Sequence, residues 1–131
     1  MLAWLLGESG QQGILHELNE AEQVVTSMLT IIECGRALAR ARAMKRIKEA
    51  EELAALHLLD DAAASWHILD ITDRVADRAR GAFPREPVRT LDALHLASAL
   101  AFAEALGPIR ILSLDDRVRE NGAALGFAIA P

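Results

Sequence analysis

The sequence predicts a three-layer α/β/α fold with a short parallel sheet, and three observations carry that prediction. Short β-branched or aliphatic runs alternate with longer segments of helical spacing, the pattern that places helices on both faces of a parallel sheet. Aromatic residues are 4% of the chain and Tyr is absent, while Ala and Leu dominate, which favours helix packing over a β-sandwich. At 131 residues the chain can bury a real core but is short for two, so residues 1–131 are expected to form a single domain.

The elements follow in order. "MLAWLLG" (1–7) is apolar from its second residue, with no strand ahead of it. "SGQQGILHELNEAE" (9–22) sets Ile14, Leu15 and Leu18 at helical spacing, with Ser9 available as a cap. "QVVTS" (23–27) reads as a short buried strand. "MLTIIECGRALARARAMKRI" (28–47) reads as a helix in spite of Gly35, with Leu29, Ile32, Leu38 and Met44 on apolar faces. A second helix spans "KEAEELAALHLLDDAAA" (48–64), followed by the strand "WHILDI" (66–71). "TDRVADRARGAF" (72–83) predicts a helix capped by Thr72 and ended near Gly81. The loop "PREPV" delivers the chain to a central helix that is apolar nearly all round and stops at Gly107-Pro108. Strand "IRILSL" (109–114), helix "DDRVRENGAAL" (115–125) and a last short strand "GFAIA" (126–130) complete the pattern.

Bulk properties narrow the function. A net charge of −5 and a pI near 5.3 argue against a broad basic surface for nucleic acid, yet permit an enzyme with a local basic rim and a bound metal. No apolar stretch approaches the ~18 uncharged residues of a membrane span. No basic region leads into an apolar run and cleavage site, so secretion is not expected. The single Cys34 precludes an internal disulfide and suits a reducing cytoplasm; its apolar neighbours point to a packing role.

The chemistry rests on isolated acids. From Thr90 to Ala103 the one formal charge is Asp92. A buried carboxylate is costly unless paired, hydrogen-bonded or bound to a cation. The helix dipole explains why an acid is tolerated there, and Thr90 could cap the helix, but neither explains the apolar surroundings. Asp115 closes a predicted parallel strand, at the edge where open α/β sheets bind ligands. It could equally be a helix N-cap, and the two roles are compatible. Asp116, one step further in, reads as a solvated first-turn acid. Glu33 stands alone in "LTIIECG", with Arg36 and Arg40 as possible intrahelical partners. His95 reads as a packed or supporting histidine. Oxygen donors of this kind suit Mg²⁺ or Mn²⁺. No zinc spacing, glycine-rich phosphate loop or serine elbow appears.

These segments resemble the PIN-domain ribonucleases of the VapC toxin type. "TSMLTIIECGRAL" is similar to the family's first internal acid motif, "RTLDALHLASA" to its most recognisable stretch, and "ILSLDDRVRENGAALGF" to its closing segment. The resemblance spans essentially the whole chain and assigns Glu33, Asp92 and Asp115 as metal-holding catalytic acids, with Ser113 in support. It implies a PIN-like fold, a Mg²⁺- or Mn²⁺-dependent RNA endonuclease, a homodimer, and a cognate antitoxin protein as partner. "ARARAMKRIK" is a candidate basic rim. One departure is expected to matter. The family opens with a strand ending in an aspartate, and here the chain begins inside the helix that follows, so the N-terminal strand and first acid are missing. Glu8 is the nearest acid and does not replace it. A translation start placed too far downstream and a degenerate or rearranged relative both account for this. The alternative to a nuclease is therefore a catalytically impaired binding module that pairs with an antitoxin or another subunit.

Overall fold

The computed structural model describes Leu5 and residues 11–131. The Ser9 cap, Glu8 and, Leu5 apart, the opening "MLAWLLG" lie outside the described residues. The elements run α1 (Gln11–Glu20), β1 (Val25–Ser27), α2 (Met28–Ala43), α3 (Glu49–Ala63), β2 (His67–Leu69), α4 (Asp73–Ala79), α5 (Thr90–Leu106), β3 (Arg110–Leu112), α6 (Asp116–Ala124) and β4 (Ala128–Ala130). The chain divides into two compact units, Met1–Leu69 and Asp70–Pro131.

In the first unit β1 and β2 pair in parallel, with Val25 opposite His67 and Ser27 opposite Leu69. Parallel pairing needs a long crossover, which α2 and α3 supply. Leu38 and Cys34 of α2 and Leu59 of α3 are fully buried. Burial pushes the Cys34 thiol up, which keeps it protonated and suits the packing role expected of it. α2 runs through Gly35 as predicted, and Leu29 and Leu38 face inward. Ile32 and Met44, expected on apolar faces, are 54% and 62% exposed, because the helix buries a narrower stripe than its sequence offers. After Ala43 the chain makes a Schellman turn, in which Lys45 N–H donates to Arg42 O and Arg46 N–H to Ala41 O. Across it Arg42 bridges Glu49 at 3.2 Å and Glu52 at 2.9 Å on α3.

The second unit centres on α5, whose Ala93, Leu96 and Ala97 pack with Val75, Phe83 and Val118. Thr72 caps α4 as expected, its Oγ accepting the Val75 N–H at 3.3 Å. The helix ends at Ala79, just short of Gly81. The following loop is tied down by two side chains. Glu86 accepts the Phe83 and Val88 N–H groups at 3.0 and 2.6 Å. Asn121, 1% exposed on α6, accepts the Arg85 N–H at 2.9 Å and donates to Arg85 O at 3.0 Å and Arg117 O at 3.1 Å. Gly107, at φ 88, follows the last turn of α5 and ends it where predicted. β3 and β4 pair in parallel across α6, which lies close to them at Gly122. A Cβ there would sit 2.9 Å from the Cδ1 atoms of both Ile111 and Ile129.

The alternation of helices with short parallel strands is the α/β pattern the sequence predicts. Among the described residues each unit holds one two-stranded parallel ladder, β1–β2 in the first and β3–β4 in the second, of three-residue strands joined by helical crossovers. One detail differs. Thr90 does not cap α5. Arg89, extended at φ −74 and ψ 154, holds the N-cap position without a side-chain bond, so Thr90 is already the first helical residue.

Candidate functional site

Asp92 lies in the first turn of α5, where the exposed N–H groups of a helix favour negative charge. Its Oδ2 is buried and has no hydrogen-bond partner. A carboxylate oxygen withdrawn from water and left unpaired carries a desolvation cost of about 1–3 kcal/mol or more, which a cation would offset. Sequence and structure therefore agree on the same anomaly.

Asp115 is the N-cap of α6, reached from the carboxyl end of β3 through Ser113 and Leu114. Its Oδ1 accepts two backbone N–H groups, from Arg117 at 2.9 Å and Val118 at 3.3 Å. Oδ2 takes no part in this cap, and the residue is exposed. The cap thus leaves one carboxylate oxygen outside it. Ser113 Oγ accepts the Asp115 N–H at 3.1 Å, so the serine sets the main chain that carries the acid. Asp116 is an exposed first-turn acid. His95, one turn after Asp92, is half-buried and engaged with a partner.

Glu33 is half-buried on α2, in the first unit, and is likewise engaged. Asp92, Ser113 and Asp115 all belong to the second unit, on helices α5 and α6 and the β3–α6 connection. Among the described residues no three His, Cys, Asp or Glu side chains form a group able to hold a metal ion.

Three residues of structural weight escape the sequence reading. Ser27, 3% exposed at the end of β1, has a buried Oγ with no partner, although its N-cap position on α2 predicts a capping bond. Asn121 holds the loop before α5; an Asn inside an amphipathic helix gives no local sign of that role. Arg119 Nη1 donates to Ser113 O at 2.8 Å and to Pro131 O at 3.2 Å, joining the chain end to the segment that carries Asp115.

Short parallel strands joined by helical crossovers, with Asp92 and Asp115 at the heads of two helices, define an α/β protein. Comparison with known proteins is more specific. Residues 1–124 match the PIN domain family. The chain is also 40% identical, over 93 residues, to Ribonuclease VapC46 of Mycobacterium tuberculosis (strain ATCC 25618 / H37Rv), covering 71% of this chain and 68% of that protein. The chain belongs to the PIN-domain family, as its motifs imply, and within it is similar to a VapC-type ribonuclease. The binding-module alternative gains nothing from either match.

Proposed function

We propose that this chain is the ribonuclease toxin of a toxin–antitoxin system, acting as one domain over residues 1–131. The observation that carries the chemistry is the buried, unpartnered Oδ2 of Asp92 in an otherwise apolar turn. Asp92, Asp115 and Glu33 offer oxygen donors of the type Mg²⁺ and Mn²⁺ prefer, and they are the acids on which the family resemblance falls. A divalent cation held by such acids would supply an activated water and charge neutralisation at a scissile phosphate. Asp92 contributes a desolvated carboxylate oxygen. Asp115 contributes Oδ2 while Oδ1 is fixed by the α6 cap, and Ser113 orients its main chain. Glu33 is the third acid that the family resemblance assigns to the cation. The same reading brings an RNA substrate, an antitoxin protein that restrains the toxin, a homodimer and a cytoplasmic setting.

The test is cleavage of a labelled single-stranded RNA with Mn²⁺ or Mg²⁺ and with EDTA, using the parent and Asp92→Asn. Removing one of the few charged donors is expected to cut the rate at least ~100-fold, since one such electrostatic group is typically worth 10²–10³. Mn²⁺ at about ten times its dissociation constant should raise parental stability by ~1.4 kcal/mol and leave Asp92→Asn unmoved. An Asp92→Asn protein that cuts RNA at the parental rate would end the assignment.

A further inference from the structure

The turn between α2 and α3 combines an unfavourable backbone choice with unbalanced charge. Lys45 sits at φ 57, the left-handed position after a helix that glycine fills at no steric cost. Arg40, Lys45, Arg46 and Lys48 are all exposed, and none makes an ion pair among the described residues. The neighbouring acids are already taken. Glu49 and Glu52 hold Arg42, and Glu51 accepts the Lys48 backbone N–H at 2.6 Å. In a chain of net charge −5, this turn concentrates cations that no ion pair among the described residues balances. Met44, 62% exposed among them, adds an apolar contact of the kind a base face can use.

We infer that residues 40–48 form a rim that holds the phosphate backbone of a single-stranded RNA, with Lys45 kept in the left-handed position for its ammonium group. The inference rests on the ribonuclease reading and names the surface that takes the substrate. Flexible, separately exposed cations suit a run of phosphates, which needs charge at intervals and no fixed pocket. Such binding is independent of sequence and weakens steeply with salt.

The experiment measures RNA affinity against salt in the Asp92→Asn background, so that the RNA survives. The probe is a fluorescent mixed-sequence single-stranded RNA. For single strands each lost phosphate contact lowers the slope of log affinity on log salt by ~0.7, or about fourfold in affinity near 0.15 M. Lys45→Gly should show that loss while its melting midpoint stays at or above the parent's, and Lys45→Arg should retain the slope. Arg40→Gln, Arg46→Gln and Lys48→Gln together should lower the slope by ~2 and the affinity about fifty-fold. Parental affinity and slope in Lys45→Gly and in the triple variant would overturn the inference, as would failure of the Asp92→Asn protein to bind RNA. Parental RNA binding with loss of an acidic antitoxin peptide would reassign the rim to a protein partner and also overturn it. The ribonuclease reading fails separately: a protein that binds RNA through this rim but never cuts it would keep the rim and lose the chemistry.

Discussion

Replacing Asn121 with Ala tests how the fold delivers the chain to α5. The side chain makes three hydrogen bonds, two to the Arg85 main chain and one to Arg117 O. A typical hydrogen bond contributes about 1 kcal/mol net, so the three set an upper sum of about 3 kcal/mol. Two considerations adjust it. Arg85 is exposed, so water can re-satisfy its freed N–H and C=O groups, which lowers the loss. The amide is 1% exposed, however, and its removal leaves a void that the unit must absorb. A destabilisation of about 2–3 kcal/mol follows, a large share of the stability of a domain this size. Urea unfolding of parent and variant measures it, and amide exchange at Arg85 supplies the local readout. The Arg85 N–H should exchange faster in the variant, even under conditions where the helices stay protected. A loss below about 1 kcal/mol with Arg85 exchange unchanged would show that the loop is held by other means and refute the reasoning.

Two further outcomes follow from single groups. Backbone N–H groups of Phe83 and then Val88 hold the Glu86 carboxyl below its ordinary value of 4.5. Its stabilising effect is therefore complete above about that value and is lost as the pH falls through the lower folded-state value. Glu86→Gln should flatten the parent's loss of stability in that window, and superimposable acid profiles would count against the role. At Gly35, inside α2, a Cβ meets nothing within 4 Å. Gly35→Ala should raise stability by about 0.5–1 kcal/mol through helix propensity, measured by thermal or urea unfolding; a destabilised variant would show that something needs that space.

The fold was legible wherever local chemistry and packing agree. Thr72 announced a helix start and accepts the Val75 N–H, and Gly107 announced a stop and takes φ 88. The cap at Asp115 was legible, because an acid that closes a strand and opens a helix can accept the first free N–H groups of that helix. Asp92 stood out because charge is rare in its surroundings, and the structure finds the matching unpaired oxygen. What could not be read depended on partners distant in sequence. Asn121 reaches Arg85 across 36 positions, and nothing near either residue signals the other. Arg119 behaves likewise, its target being the backbone beyond Ser113 and at Pro131. Strand pairing was also out of reach, since a run such as "QVVTS" shows that a strand exists and not how many neighbours it acquires.

The double cap at Asp115 carries an entropic consequence. A surface carboxylate usually samples several rotamers, and a ligand that selects one must overcome that freedom, at a cost of up to about 1.5–2 kcal/mol for the most flexible side chains. Folding has already fixed this carboxylate by anchoring Oδ1 to Arg117 and Val118. The proposed ion would meet an oxygen whose orientation was settled when α6 formed. Helix formation thus supplies in advance the ordering that binding at this carboxylate would otherwise require.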